Sequence, residues 1–148
     1  MFTKQVLMEE LLELKQLLQH GEIGDALALI EELEEMGRKA IARNIRSYVK
    51  FLLLHLIKQH VEQRTTKSWD ASIRNALREI NDINARPKGR GVYLDDEELQ
   101  EVLLSAVAPA VEQAALEVAG GMYNVREIEQ RMSQVGLESQ ALLMIKGF

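Results

Sequence analysis

The side chains best suited to chemistry in this sequence are two glutamates and one histidine. Glu31 and Glu35 lie four residues apart, so on a helix their carboxylates share one face. His55 lies at the border of an apolar stretch, where an imidazole can bind a metal or transfer a proton. The Glu-x-x-His motif of di-iron bundles is absent. We therefore favour a solvated acidic face, and a core histidine that is hydrogen-bonded to a carboxylate or carbonyl, over a metal site.

Several other classes of active site are excluded by composition. The chain has no cysteine, which excludes disulfides, thiolate catalysis and cysteine-ligated metals and indicates a reducing cytoplasm. Acidic residues at positions 9, 10 and 13 interrupt any signal peptide. No Ser-His-Asp order, phosphate-binding loop or nucleophile elbow is present. The sequence thus predicts no catalytic centre and no cofactor.

The charged residues fall into three blocks of alternating sign. Residues 1–36 carry a net charge of −7, residues 37–90 carry +9 and residues 91–148 carry −7, within a total of −5. A basic block of this kind can follow a nucleic-acid backbone. The acidic blocks can also neutralise it, within the chain or between subunits. We favour ion pairing, because a negative net charge repels nucleic acid at long range.

Part of the basic block is arranged along helix faces. Four cations between positions 39 and 50 recur at steps of four, three and four residues, and two more share a face of a later helix. Trp69 can stack on a base or on a partner's side chain, although a half-buried tryptophan that joins two helices is more common. The candidate interaction residues are Arg38, Lys39, Arg43, Arg46, Lys50, Arg64, Trp69, Arg74 and Arg78.

Hydrophobic periodicity predicts an all-α fold built around one long helix. Residues 38–64 carry apolar side chains at steps of three and four, and from Phe51 to Ile57 every residue except His55 is apolar. A helix that is apolar on all sides belongs in a core, so this helix of about 40 Å is predicted to be central. The apolar run is too short for a membrane span, which needs about 20 residues.

Turn and capping residues divide the chain into about six helices, which we predict to form one domain over residues 1–148. Gly21 ends the first helix, and Asp25 caps a second helix that turns Leu27 inward. Gly37 ends this second helix before the long one begins. The N-caps predicted for the later helices are Ser68, Asp95 or Asp96, and Asn124.

Two segments are predicted to lie outside these helices. Residues 86–94 contain a proline, two glycines and three cations, and we predict a flexible basic loop there. Residues 137–148 follow Gly136 and are predicted to be a short C-terminal tail.

Three segments of the sequence form a recognisable combination. They are an acidic helix ending in Met36-Gly-Arg38, the leucine-rich run Leu52–Lys58 with His-Leu-Ile-Lys, and the pair Ser68-Trp69. This combination resembles the bacterial domain of unknown function 29 family, over about residues 27–74. The resemblance implies an all-helical fold and no assigned activity. The chain departs from the family pattern in having Lys67 before Ser68-Trp69 and no aromatic Tyr-x-Trp near its N-terminus.

Together these observations predict a non-enzymatic protein–protein interaction or assembly module in a bacterial cytoplasm. Met8 and Leu12 in the first helix, and Leu54 and Ile57 in the long one, exceed what one helix face needs. Such a surplus favours burial between subunits, so we expect a homo-oligomer or a protein partner and no membrane.

Two other functions stay open on the sequence. One is a nucleic-acid-associated or antitoxin-like regulatory protein that uses the basic segment 37–90. The other is a metal-dependent enzyme that uses Glu31, Glu35 and His55.

Overall fold

The computed structural model describes residues 3–147, which form helices joined by short turns. The helices are α1 Lys4–Gln19, α2 Ile23–Glu62, α3 Lys67–Asn84, α4 Asp96–Glu117, α5 Val125–Ser133 and α6 Leu137–Ile145, with 3-10 turns at Pro87–Gly89 and Val118–Gly121. This confirms the prediction of an all-α single domain with about six helices. Contacts group the chain into two compact units, residues 1–42 (unit 1) and residues 43–148 (unit 2).

The long helix α2 begins earlier than predicted. It has 40 residues and continues through Gly37, where we had predicted an end. A glycine inside a helix costs about 1 kcal/mol relative to alanine, which the hydrogen bonds on both sides outweigh. The separate second helix and the central helix over 38–64 are therefore one element, and Asp25 lies in its first turn.

The core of unit 2 surrounds the later part of α2. Six successive residues, Leu52–Ile57, are buried, which confirms that the stretch apolar on all sides lies in a core. Phe51 departs from the pattern, since 44% of it is exposed. Leu54 and Ile57 are covered within the chain itself, so they contribute nothing to the apolar surplus that we had assigned to subunit contacts.

The remaining helices of unit 2 pack on one another. α4 contacts α5 and α6, and α3 contacts α6. Asp95 caps α4 and Asn124 caps α5, as predicted, each in a capping box with the glutamate three residues later. The caps satisfy amide groups that would otherwise lack partners in the first turn of each helix.

The start of α3 lies two residues before the predicted one. Thr66, in extended conformation, is the N-cap, and its Oγ1 accepts a hydrogen bond from the amide of Trp69 at 3.0 Å. Ser68, which we had predicted as the cap, lies within the first turn. Both residue types cap helices well, so the two positions were not distinguishable by type.

The segment predicted as a C-terminal tail forms helix α6 instead. Leu137, Ala141 and Ile145 recur at steps of four and are buried. This spacing gives a nine-residue helix with one narrow apolar stripe, which lies against α3 and α4. Lys146, just after the helix, pairs with Asp96 at 3.4 Å. Phe148 lies outside the described residues.

Unit 1 consists of α1 and the first part of α2, joined at Gly21. Gly21 has φ +72°, a left-handed conformation that glycine adopts without strain, and it ends α1 as predicted. Among residues 3–42 only Ala26 and Leu29 are buried. Leu27, which we had predicted to turn inward, is 56% exposed. This unit therefore has almost no core of its own.

The first prediction concerns the buried run of α2. Leu53→Ala should lower the free energy of unfolding by about 2–5 kcal/mol, because it leaves a cavity where the side chain is 0% exposed. Leu104→Ala on α4, where the leucine is 55% exposed, is the matched control and should change it by less than about 0.5 kcal/mol. Urea denaturation followed by circular dichroism measures both, and equal losses would contradict the placement of the core.

Candidate interaction surfaces

The three candidate metal ligands are divided between the two units. Glu31 and Glu35 lie in unit 1 and are exposed, and Glu35 pairs with Lys39 at 3.9 Å. His55 lies in unit 2, is 6% exposed, and donates from Nδ1 to the carbonyl of Phe51 at 2.8 Å. It is thus a core histidine bonded to a carbonyl. Over residues 3–147, no three His, Asp or Glu side chains are grouped to hold a metal ion.

The cations on the middle of α2 face solvent. Arg43 and Arg46 are exposed and Lys50 is half-buried, and no carboxylate oxygen in the described part of the chain lies within 4.0 Å of them. Within residues 3–147, these three cations thus do not make the ion pairs that we favoured for this stripe. Pairing between subunits stays a prediction. Arg38 and Lys39 are also exposed, in unit 1.

Lys50 lies beside a groove between α2 and α4, of about 350 Å³. Its lining residues are Ser47, Lys50, Phe51, Leu54, Gln113 and Glu117. The centre of the exposed Phe51 ring lies 4.6 Å from the centre of the His55 ring.

Trp69 contacts one other predicted interaction residue, Arg64, and also Lys58 near the end of α2. Its ring is half-buried, with the Arg64 guanidinium 4.7 Å and the Lys58 ammonium 5.9 Å from the ring centre. Both are cation–π contacts, worth about 0.5–1 kcal/mol at such sites. The arrangement matches the more common role that we gave this tryptophan, which is to join two helices.

A group of polar side chains follows the buried run of α2, and we call it the polar collar: Lys58, Gln59, His60 and Glu62. Lys58 reaches Glu117 of α4 at 3.7 Å, and Gln59 reaches Asp70 of α3 at 3.3 Å. His60 donates to Gln140 of α6 at 2.8 Å. These three contacts connect α2 to α3, α4 and α6, and Glu62 adds a contact with the turn after α4. The sequence does not reveal the collar, because its partners on other helices are 11 to 80 residues away.

Glu62 is the acidic member of the collar. One carboxylate oxygen accepts from the Ala119 amide at 3.1 Å, and the other contacts Arg64 at 2.9 Å. The hydrogen bond from the Ala119 amide, with Arg64 and Lys58 nearby, holds the pKa of Glu62 below its usual 4.5. Ala119 has φ +47°, so the carboxylate stabilises a strained turn after α4.

The exposed apolar side chains of unit 1 form a second kind of surface. α1 has no buried residue, and a shallow groove of about 400 Å³ runs along it beside Leu11, Leu14 and Leu18. The exposed fractions of Met8 and Leu12 are 69% and 58%. These five residues and Leu27 are called the unit 1 apolar surface below. The sequence had singled out Met8 and Leu12 for this role.

One segment of unit 2 meets the length and hydropathy criteria for a membrane-spanning helix. Among the described residues, Asp96–Gly121 is long and apolar enough to cross a membrane by length and composition, with a mean hydropathy of 1.5 in its most apolar stretch. A helix in the core of a folded domain meets the same criterion, and 39% of this stretch is buried. That no membrane is involved stays a prediction.

The second prediction concerns the charge of Glu62. A lowered folded-state pKa means that the carboxylate stabilises the fold at pH values above its ordinary pKa, and that this contribution disappears as pH falls through the folded-state value. Glu62→Gln should therefore reduce the free energy of unfolding by about 1–2 kcal/mol near about pH 7. The difference from wild type should shrink in acid. Urea denaturation across this pH range measures it.

The control for this variant is Glu112→Gln, an exposed glutamate of α4. It removes the same charge without removing a hydrogen bond and should leave stability nearly unchanged. If Glu62→Gln lowers the free energy of unfolding by the same amount at all pH values, that result would contradict a stabilising role of the Glu62 charge.

Comparison with known proteins gives one match. The model of the family described as domain of unknown function DUF29 matches residues 6–130. No curated protein and no solved structure matches the chain. The matched range includes α2, α3 and α4, and thus the whole polar collar except its contact with α6. The chain belongs to the DUF29 family, whose function is unknown.

Proposed function

We propose that this protein is a protein–protein interaction or assembly module, and that unit 1 is the part covered by a partner. The observation that carries this proposal is the lack of buried side chains in α1, on a unit whose leucines recur on several faces of the helix. The function proposed is one of binding, because the proposal is carried by an uncovered apolar surface.

The physical argument rests on how little unit 1 buries. Units of about 40 residues rarely fold without a further source of stability, and oligomerisation is one such source. Two buried residues, Ala26 and Leu29, supply only a small part of what is needed to offset the entropy of ordering α1. Covering Met8, Leu12 and Leu18 would add about 1.5–3 kcal/mol for each side chain fully buried.

A second copy of the chain is the partner that fits the unit 1 apolar surface best. Two α1 helices packed antiparallel about Leu12 would bury the apolar side chains of both copies in one isologous interface. In that register Lys15 of one copy lies level with Glu9 of the other, so charges at the edge of the contact are complementary. Two helical units paired in this way give a four-helix bundle, which has a core that neither has alone.

The third prediction tests this assembly. Light scattering should give twice the chain mass for the wild-type protein at micromolar concentration. Leu12→Arg should give a monomer, because it places two like charges opposite each other at the two-fold axis. Leu116→Arg on α4, where the leucine is 75% exposed, is the matched control and should leave the dimer intact.

Two results would contradict the proposal. A wild-type chain that is monomeric at high concentration would remove the second copy as partner. A dimer that is lost with Leu116→Arg and kept with Leu12→Arg would move the interface from unit 1 to α4.

A further inference from the structure

Six exposed cations on α3 and on the loop after it are used by no part of the proposed assembly. The basic ridge consists of Lys67, Arg74, Arg78, Arg86, Lys88 and Arg90, all exposed. Within residues 3–147, no carboxylate oxygen lies within 4.0 Å of any of the six. The ridge is therefore a concentration of positive charge in a unit that has as many acidic as basic residues.

The three ridge cations on α3 lie along one face of the helix. Lys67, Arg74 and Arg78 are separated by seven and four residues, which places them within about 40° of one another around α3. They span about 16 Å along the helix axis. Of the acids on α3, Asp70 is engaged by Thr65 at 2.8 Å and by Gln59 at 3.3 Å. Glu79 adjoins Arg78 and Asp82 lies four residues after it, but neither carboxylate has an oxygen within 4.0 Å of a ridge cation.

The loop part of the ridge is held by its own hydrogen bonds. The Asn84 side chain, 5% exposed, accepts from the Leu94 amide at 2.8 Å and donates to the Leu94 carbonyl at 3.0 Å. The Arg86 amide donates to the Gly91 carbonyl at 2.8 Å, and the Arg86 guanidinium lies 5.3 Å from the centre of the Tyr93 ring. Both ends of the loop are thus fixed at the end of α3. The flexibility that we predicted for residues 86–94 stays a prediction.

The chemistry of the ridge distinguishes between kinds of partner. α3, described over its whole length, exposes no large apolar side chain, and Val92 is the one that the loop exposes. A protein partner needs an apolar centre to its contact, whereas a phosphate backbone is held by cations and amide donors alone. Arginine, which accounts for four of the six cations, binds phosphate in a two-point geometry.

We propose that the basic ridge binds the phosphate backbone of a nucleic acid without reading its sequence. The three cations of α3 and the three of the loop follow one strand. Each contact releases counterions from that strand, so that binding weakens steeply with salt. The inference is independent of the assembly through unit 1, since it uses no residue of that unit.

The fourth prediction tests the ridge with labelled nucleic acid. Fluorescence anisotropy with duplex DNA and with single-stranded RNA of about 20 nucleotides, at about 50 and 200 mM salt, should show binding that falls with salt. The triple variant Arg74→Ala, Arg78→Ala, Lys88→Ala should lose most of the binding at low salt. The slope of log affinity against log salt should decrease by about one for each cation removed. The duplex and RNA arms identify which strand form is preferred.

The control is the triple variant Arg43→Ala, Arg46→Ala, Lys50→Ala, which removes the same charge from α2 and should keep the salt slope of the wild type. Circular dichroism melting checks that both variants are folded, and Arg74→Lys with Arg78→Lys should retain binding. Absence of binding at low salt, or equal losses in the two triple variants, would overturn the ridge as the site. Tighter binding of polyglutamate than of nucleic acid would show an acidic protein to be the partner.

Discussion

Burial of Leu52–Ile57 on every side is the constraint on which the rest of unit 2 depends. A helix with one apolar stripe needs one neighbour, but a helix that is apolar all round must be enclosed. The polar collar at the end of the buried run connects α2 to α3, α4 and α6. Because the collar residues follow the buried run directly, one short stretch of α2 both buries apolar side chains and contacts three other helices.

Glu62 connects the end of α2 to the turn that follows α4. Its carboxylate accepts a hydrogen bond from the amide of Ala119, a residue in left-handed conformation just after α4. A charged acceptor next to a strained turn offsets part of the cost of that conformation. The direction in which the chain leaves α4 toward α5 is therefore coupled to the end of α2, 57 residues earlier.

The two surfaces proposed for binding differ in the chemistry of their side chains. The unit 1 apolar surface is formed by Met8 and several leucines on an acidic unit, which suits another protein surface. The basic ridge has six exposed cations, and Val92 is the one large apolar side chain that α3 and the loop expose, which suits phosphate. Since the two surfaces share no residue, the two proposals do not compete for the same side chains.

The sequence by itself determined the helical class, the central position of residues 52–57, and the caps at Asp95 and Asn124, because each follows from local periodicity or from a motif four residues long. It did not determine that α2 continues through Gly37 or that residues 137–145 form a helix, since in both places hydrogen bonding and packing outweigh a weak local signal. The partners of the collar, and the exposure of Arg43 and Arg74, were decided only by the tertiary structure. Periodicity indicates which side chains share a helix face, and their charges indicate its chemistry. What lies opposite that face depends on residues far away in the chain.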